Sequence, residues 1–390
     1  MVPKVKWTKE QLDAISKKSS NILVAAAAGS GKTAVLVERI IRKIIEDRID
    51  IDKILVVTFT SPAASEMRER ILEAIYKKID ENPEDENLQR QVNLLNKASI
   101  CTIDSFCLDV IRNNFFEIDV SANARVADGT EVNLLKQETL DDIFEEKYIE
   151  NNKDFLDLIG TYTKYNKDED LENLILNIYE YIQSTPFPEE WLEEKIEMFN
   201  ISDKLSNFSN TEWGKRILEY ADKVLEDCIL KLESVLKSTQ RFKELEKYNA
   251  VIQDDIVNYN QIKQSLDNWD LAVEEINNFT NKPWPSLKKI ENCLKDEAKE
   301  IRDSAKKEFT KIKDLIPYSS EEANSDILYM YGVLKKLQSI ILEFSERFYN
   351  KKREKNIIDF NDMEHLALKI LLKKDEIGNI VPTEVAKKYS

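Results

Sequence analysis

The hydrophobic positions of this chain change rhythm near residue 120. Before that point, short apolar runs alternate with helical stretches. Ile22-Leu23-Val24-Ala25 is a compact apolar run and predicts a first strand. Residues 32–46 then place apolar side chains at helical spacing. Residues 53–60 (Lys-Ile-Leu-Val-Val-Thr-Phe-Thr) form a nearly continuous apolar run, the pattern of a strand buried on both faces of a parallel sheet. Pro62 suits the first turn of a helix over residues 63–79, with Ser61 as its N-cap. Residues 82–87 read as a polar loop, 98–102 as a third strand and 104–116 as a helix. Alternation of this kind predicts a three-layer α/β domain.

Beyond Glu131 the apolar residues recur only at helical spacing, as in Leu134, Leu135, Leu140, Ile143, Phe144 and Tyr148. Residues 171–182, 217–236, 287–316 and 327–348 repeat that pattern. Turn signals separate them at Ser184-Thr185-Pro186-Phe187-Pro188, Asn281-Lys282-Pro283-Trp284-Pro285 and Ile316-Pro317. The pattern therefore divides the chain into residues 1–118, an α/β segment, residues 119–350, a helical segment, and residues 351–390, a return toward the first. Trp191, Trp213, Trp269 and Trp284 fall on helical apolar faces and read as core residues.

Composition narrows the classes. The chain has 390 residues, enough for two or three domains. Charged residues make up 33% and Gly is scarce at 7, which favours solvated helices over a β-rich fold. The net charge of −16 lies C-terminal to residue 118, because residues 1–118 are balanced in acid and base. There is no apolar run long enough to span a membrane, and the first residues lack the apolar centre of a secretion signal. Cys101, Cys107, Cys228 and Cys293 are scattered, as in a reducing cytoplasm, and form no metal-ligand spacing. His365 is the lone histidine, so histidine-based metal or triad chemistry is disfavoured.

The candidate chemistry begins at Ala26-Ala27-Ala28-Gly29-Ser30-Gly31-Lys32-Thr33, between the first strand and its helix. Strand, small-residue loop, Lys-Thr and helix make a phosphate-binding context. Glycine permits the dihedrals that turn the N–H groups of Gly29, Ser30, Gly31 and Lys32 inward, and the helix adds its positive end. In such a loop Lys32 reaches the β- and γ-phosphates of ATP, and the Thr33 hydroxyl binds Mg2+. The strict pattern places Gly where this chain has Ala26. Three more segments occupy informative places. Gln11, in Trp7-Thr8-Lys9-Glu10-Gln11, can both donate to and accept from an adenine edge. Thr58-Phe59-Thr60 and Thr102-Ile103-Asp104-Ser105-Phe106-Cys107 follow the second and third strands. Ligands bind at such strand ends, and hydroxyls with an exposed Phe suit a DNA backbone and a stacked base.

Together, in this order and spacing, these segments resemble the N-terminal motor domain of UvrD-like superfamily 1 DNA helicases. The resemblance makes Gln11 the adenine-reading residue, Ala26–Thr33 the Walker A loop with the family's own Ala at its first position, and Thr58, Phe59, Thr60, Ser105 and Phe106 contacts to DNA. It implies a P-loop NTPase (RecA-like) α/β sheet domain with a large all-helical insertion. Two departures stand out: Pro62 occupies a position usually basic or small, and Asp104 replaces the usual His, where a carboxylate repels phosphate.

No apolar strand ending in Asp-Glu follows; the Asp296-Glu297 pair sits within a charged helical stretch. The long interval without it resembles the AddA-type, RecB-related branch of helicase–nucleases. Arg125-Val126-Ala127-Asp128, Ser184–Leu192 and Ile358-Asp359-Phe360-Asn361-Asp362-Met363-Glu364-His365-Leu366 are similar to segments of that branch. The resemblance implies the front part of a cytoplasmic 3′–5′ DNA helicase/exonuclease of double-strand break repair, stopping just before the Walker B strand. It implies ATP and Mg2+ as cofactors, single-stranded and duplex DNA as partners, an AddB-type second subunit in a heterodimer, and negligible turnover by this chain alone. Two alternatives remain: part of a Rep-type helicase without a nuclease, or a non-enzymatic, nucleotide-dependent docking module.

Overall fold

A computed structural model describes residues 7–18, 21–27, 29–118, 120–121, 123–163, 167–201, 207–285 and 293–389. The chain divides into two compact units, Met1–Glu145 with Phe344–Ser390, and Glu146–Glu343.

In the first unit, helix α1 (Lys9–Ser16) opens on a capping box made by Thr8 and Gln11. Helix α2 (Lys32–Glu46) spans the residues its periodicity predicts. Strand β1 (Val56–Thr58), helices α3 (Ser61–Glu81) and α4 (Glu86–Leu94), strand β2 (Ile100–Thr102) and helix α5 (Ile103–Asn113) follow. β1 and β2 pair in parallel, Val56 beside Ile100 and Thr58 beside Thr102. Ile40, Ile41 and Ile44 of α2 pack with Val56, Met67, Ile71, Ile75, Leu88 and Ile100 in one core. Arg68 of α3 donates to the carbonyls of Leu95, Ala98 and Ile100, fixing that helix to β2. Strand β3 (Arg125–Val126) leads into α6 (Gly129–Ile149), whose start is capped by Asp128.

Four local expectations are corrected. Residues 22–25 form no strand, and Leu23 is 96% exposed. No described strand pairs with residues 22–25, and the run is largely exposed, so its backbone is left to water. The second strand shortens to Val56–Thr58 because Ile51–Lys53 makes a 3₁₀ turn. Thr60, not Ser61, is the N-cap of α3: its backbone is still extended and its hydroxyl accepts from the Ala63 N–H. The loop expected over 82–87 gives way to α4 at Glu86, started by the Asp85 carboxylate.

The regular elements described in the second unit are helices, among them α7 (Lys153–Tyr162), α8 (Glu169–Ile182), α9 (Pro188–Glu197), α10 (Glu212–Thr239), α11 (Glu246–Ser265), α12 (Trp269–Asn278) and α13 (Cys293–Leu315). Leu225, Leu232, Ile252, Tyr259, Phe309 and Ile312 are among the residues that build its main core. Inside lies an ion pair, Arg302 with Asp255, each side chain 1% exposed. The Arg302 guanidinium also donates to the Lys282 carbonyl (2.8 Å) and lies 5.5 Å from the centre of the Trp284 ring. Trp269 is buried, and its indole N–H donates to the Tyr318 carbonyl. Helix α14 (Ser320–Glu354) runs from this unit, and from Phe344 onward belongs to the first.

The first unit is completed by β4 (Ile357–Ile358), α15 (Phe360–Leu371), and a hairpin of β5 (Leu372–Lys374) and β6 (Ile380–Pro382). β4 lies parallel to β3, so the strands on either side of the second unit in sequence are neighbours within the first. Val110 and Ile111 of α5 pack with Ile358, Met363, Leu366 and Ile370. The described strands thus form three two-stranded sheets, in place of one wider parallel sheet.

Candidate nucleotide and nucleic-acid site

Two glycines make the loop before α2 possible. Gly29 and Gly31 have φ of 78° and 83°, the left-handed region that other residues avoid. Gly31 is also the N-cap of α2, so Lys32 and Thr33 open the helix where its N–H groups and dipole converge. The Lys32 ammonium donates back to the carbonyls of Ala26 (2.6 Å) and Ala27 (3.4 Å), spanning the loop. Ala28 lies outside the described residues.

Gln11 reaches this loop from α1. Its Oε1 accepts from the Thr8 N–H (2.9 Å), and its Nε2 donates to the Ser30 carbonyl (3.2 Å). A β-carbon on Gly31 would lie 3.5 Å from that same Nε2. Helix start, glutamine and phosphate loop are therefore one hydrogen-bonded assembly, and both functions of the Gln11 amide are already in use.

The other two segments meet at the carboxyl ends of β1 and β2. Phe59, Thr60, Ser61, Thr102, Asp104 and Ser105 line an open groove of about 450 Å³. The Phe59 ring is fully exposed. Thr58 donates its hydroxyl to the Thr60 carbonyl, while Thr102 caps α5 and its hydroxyl lies 2.9 Å from that of Ser105. Phe106 differs from Phe59: it is half-buried and packs against the core around Cys107 and Val110, because α5 turns that face inward. Burial pushes the Cys107 thiol up to about 11, with the charges of Glu364 and Asp104 adding to the effect, so it is no thiolate nucleophile at neutral pH.

Sequence reasoning did not single out Phe360 for this groove. It is the first residue of α15, 57% exposed, and lines the same groove as Phe59. Asp359 and Asp362 flank it in a reciprocal cap. Lys352, 2% exposed in its side chain, donates to Asp359 (2.8 Å) and Asp362 (2.7 Å) and anchors that cap. The signal available was the Asp-x-x-Asp spacing, which marks a helix start and says nothing of what the next ring faces.

A left-handed glycine loop feeding Lys-Thr into a helix, beside parallel strands with a groove at their carboxyl ends, defines a P-loop NTPase. The chain belongs to the UvrD/REP helicase N-terminal domain family, whose model matches residues 7–387. It is 44% identical, over 98% of its length, to the AddA-type ATP-dependent helicase/nuclease subunit of Clostridioides difficile, and 41% identical, over its full length, to the protein of that name from Acetivibrio thermocellus. The corresponding protein of Ruminiclostridium cellulolyticum is 43% identical over 98% of the chain. The chain spans about a third of the length of these curated relatives: 31%, 32% and 31%. Among the described residues, no helix is long and apolar enough to cross a membrane.

Proposed function

We propose that the chain is the ATP-binding, DNA-contacting front part of a 3′–5′ DNA helicase/exonuclease that acts on double-strand breaks. The observation that carries the nucleotide half is the loop itself. Gly29 and Gly31 hold left-handed turns, Lys32 is poised over the loop carbonyls, and Gln11 is bonded to Ser30. On this reading Lys32 leaves the Ala26 carbonyl for the β- and γ-phosphates, backbone N–H groups of residues 29–32 cradle them, and Gln11 reads adenine. Magnesium supplies charge neutralisation between phosphates, and the Thr33 hydroxyl is the group that would hold it.

The DNA half rests on the groove. An exposed ring, Phe59, and hydroxyls at Thr60 and Ser105 offer stacking and backbone contacts at strand ends. Phe360 joins them as a second ring. Phe106, packed inward, supports α5 more than it touches DNA. The helical segment, residues 119–350, is proposed as an insertion into the motor domain that meets duplex DNA or an AddB-type partner in a heterodimer, and the cytoplasm is the proposed compartment. Turnover by this chain alone is expected to be negligible on this reading: among the described residues the Asp-Glu pair that directly follows a strand is Asp375-Glu376 after β5, where the Asp375 carboxylate is taken up by the Ile377 and Asn379 N–H groups of a hairpin turn, and charge stabilisation of the arginine-finger kind is worth ~10³–10⁵ in rate.

The acidic balance of the residues beyond 118 favours a second reading, a nucleotide-dependent protein-docking module. ATP binding with magnesium, wild type against Lys32→Ala, with and without single-stranded DNA, separates them. Binding that requires Lys32 and tightens with DNA supports the motor reading. Lys32-dependent binding that is indifferent to DNA favours the docking module. Binding unaffected by Lys32→Ala overturns both.

A further inference from the structure

We propose that Asp104 makes the groove select bases that present an exocyclic amino group, cytosine over uracil or thymine among pyrimidines. This deepens the DNA reading above and rests on it. Asp104 sits in the first turn of α5 and lines the groove with Phe59, Thr60, Ser105 and Phe360. It is part-exposed, and among the described residues its carboxylate takes part in no hydrogen bond or ion pair.

A carboxylate only accepts hydrogen bonds, and it repels phosphate. A strand crossing the groove is therefore turned so that a base edge, not its backbone, faces Asp104. The two rings stack on any base, because every base has a π-face, so they do not choose between bases. The carboxylate does choose. Cytosine places its 4-amino group where uracil and thymine have a carbonyl, and a carboxylate accepting from that amino group is an established base contact. Uracil has one N–H on that edge, set between two carbonyl oxygens that would face the carboxylate. An acid in the first turn of α5 also complements the helix dipole. That role affects stability alike with either base, so it is separable from selection.

The test is fluorescence anisotropy of the full chain with labelled oligo(dC) and oligo(dU) of one length at pH 7.5; these differ only at the pairing edge. The wild type is expected to bind oligo(dC) roughly tenfold more tightly, the size of one good base contact. Asp104→Asn, whose amide both donates and accepts, is expected to bring the ratio close to one while both oligonucleotides still bind. An equal ratio in wild type and Asp104→Asn, or a wild-type preference for oligo(dU), overturns the role of Asp104 and leaves the groove standing. Phe59→Ala, a change at a fully exposed ring, checks the groove itself. If oligo(dC) binding is unaffected by Phe59→Ala, or neither oligonucleotide binds the wild type, the DNA groove is wrong and the selection falls with it.

Discussion

Replacing Lys352 by Met should destabilise the first unit more than any surface substitution. The side chain is 2% exposed, and its ammonium sits 4.3 Å from the Phe348 ring centre and is the cation for two carboxylates, the buried Asp359 and the largely buried Asp362. Removing one partner of a buried pair costs about 3–5 kcal/mol, because the remaining charge is stranded. For a unit of roughly 200 residues each kcal/mol moves the midpoint about 2–4 °C, so scanning calorimetry at pH 7.5 should show a drop of about 6–20 °C. The pH dependence has a definite sign. Burial holds the Asp362 carboxyl above its usual range, with Lys352 opposing and Asp359 adding to the rise. Without Lys352 that opposition is lost and the rise is larger. A carboxyl raised in the folded state binds its proton there before it does in the unfolded chain. Stability of the variant therefore falls as pH climbs from the ordinary carboxylate range through the raised value, and returns on acidification. The gap between variant and wild type should narrow at pH 5, and adding Asp362→Asn to Lys352→Met should recover part of it. A gap under about 1 °C at pH 7.5, or one that widens at pH 5, would refute the argument.

Three further outcomes follow from the same structure. Gly214→Ala should lower the melting of the helical unit by about 1–3 kcal/mol, because a β-carbon there would lie 2.0 Å from the Phe208 carbonyl oxygen; circular dichroism melts of the two chains check this. Arg302→Leu should cost about 3–5 kcal/mol by stranding Asp255 inside the helical core. The double change Arg302→Leu with Asp255→Leu should recover much of that loss in urea titrations. Phe360→Ala should weaken single-stranded DNA binding by about 1–3 kcal/mol on the proposed reading. Its ring is 57% exposed, so the melting temperature should barely move.

What the sequence disclosed is what local physics decides. The bounds of α2 follow from a left-handed Gly31 before Lys32 and from the spacing of Val37, Ile40, Ile41 and Ile44, all within one short stretch. The left-handed glycines of the loop were legible for the same reason. Pairing is non-local, and there the reading ran out: Ile22–Ala25 has the composition of a strand, but no described strand pairs with it and it stays irregular. Thr60 and Ser61 can both cap a helix; the extended backbone inherited from β1 selects Thr60. In Lys351-Lys352-Arg353 no residue announces that the middle one turns inward, because its partners lie seven and ten residues on, past a strand. Arg302 is likewise hidden in a charged helix, and only the packing of α11 and α13 on α10, with Asp255 of α11 as its partner, reveals it as a core residue. Phe59 and Phe106 look alike as strand-end rings, yet the phase of α5 turns Phe106 partly into the core while Phe59, in the bend between β1 and α3, stays in water.

On the proposed reading, the bond between Gln11 and Ser30 turns base recognition into a replacement reaction. An incoming base does not meet an idle amide; it competes with a carbonyl of the same chain that already holds the Gln11 Nε2. On the proposed reading, a base that both accepts from that N–H and gives a donor to the amide oxygen restores what the protein surrenders. One that mismatches leaves polar groups of the loop unpaired, at about 1–3 kcal/mol for each one kept from water. Discrimination between nucleotides then comes less from attraction to the right base than from the penalty attached to displacing an internal rival with the wrong one.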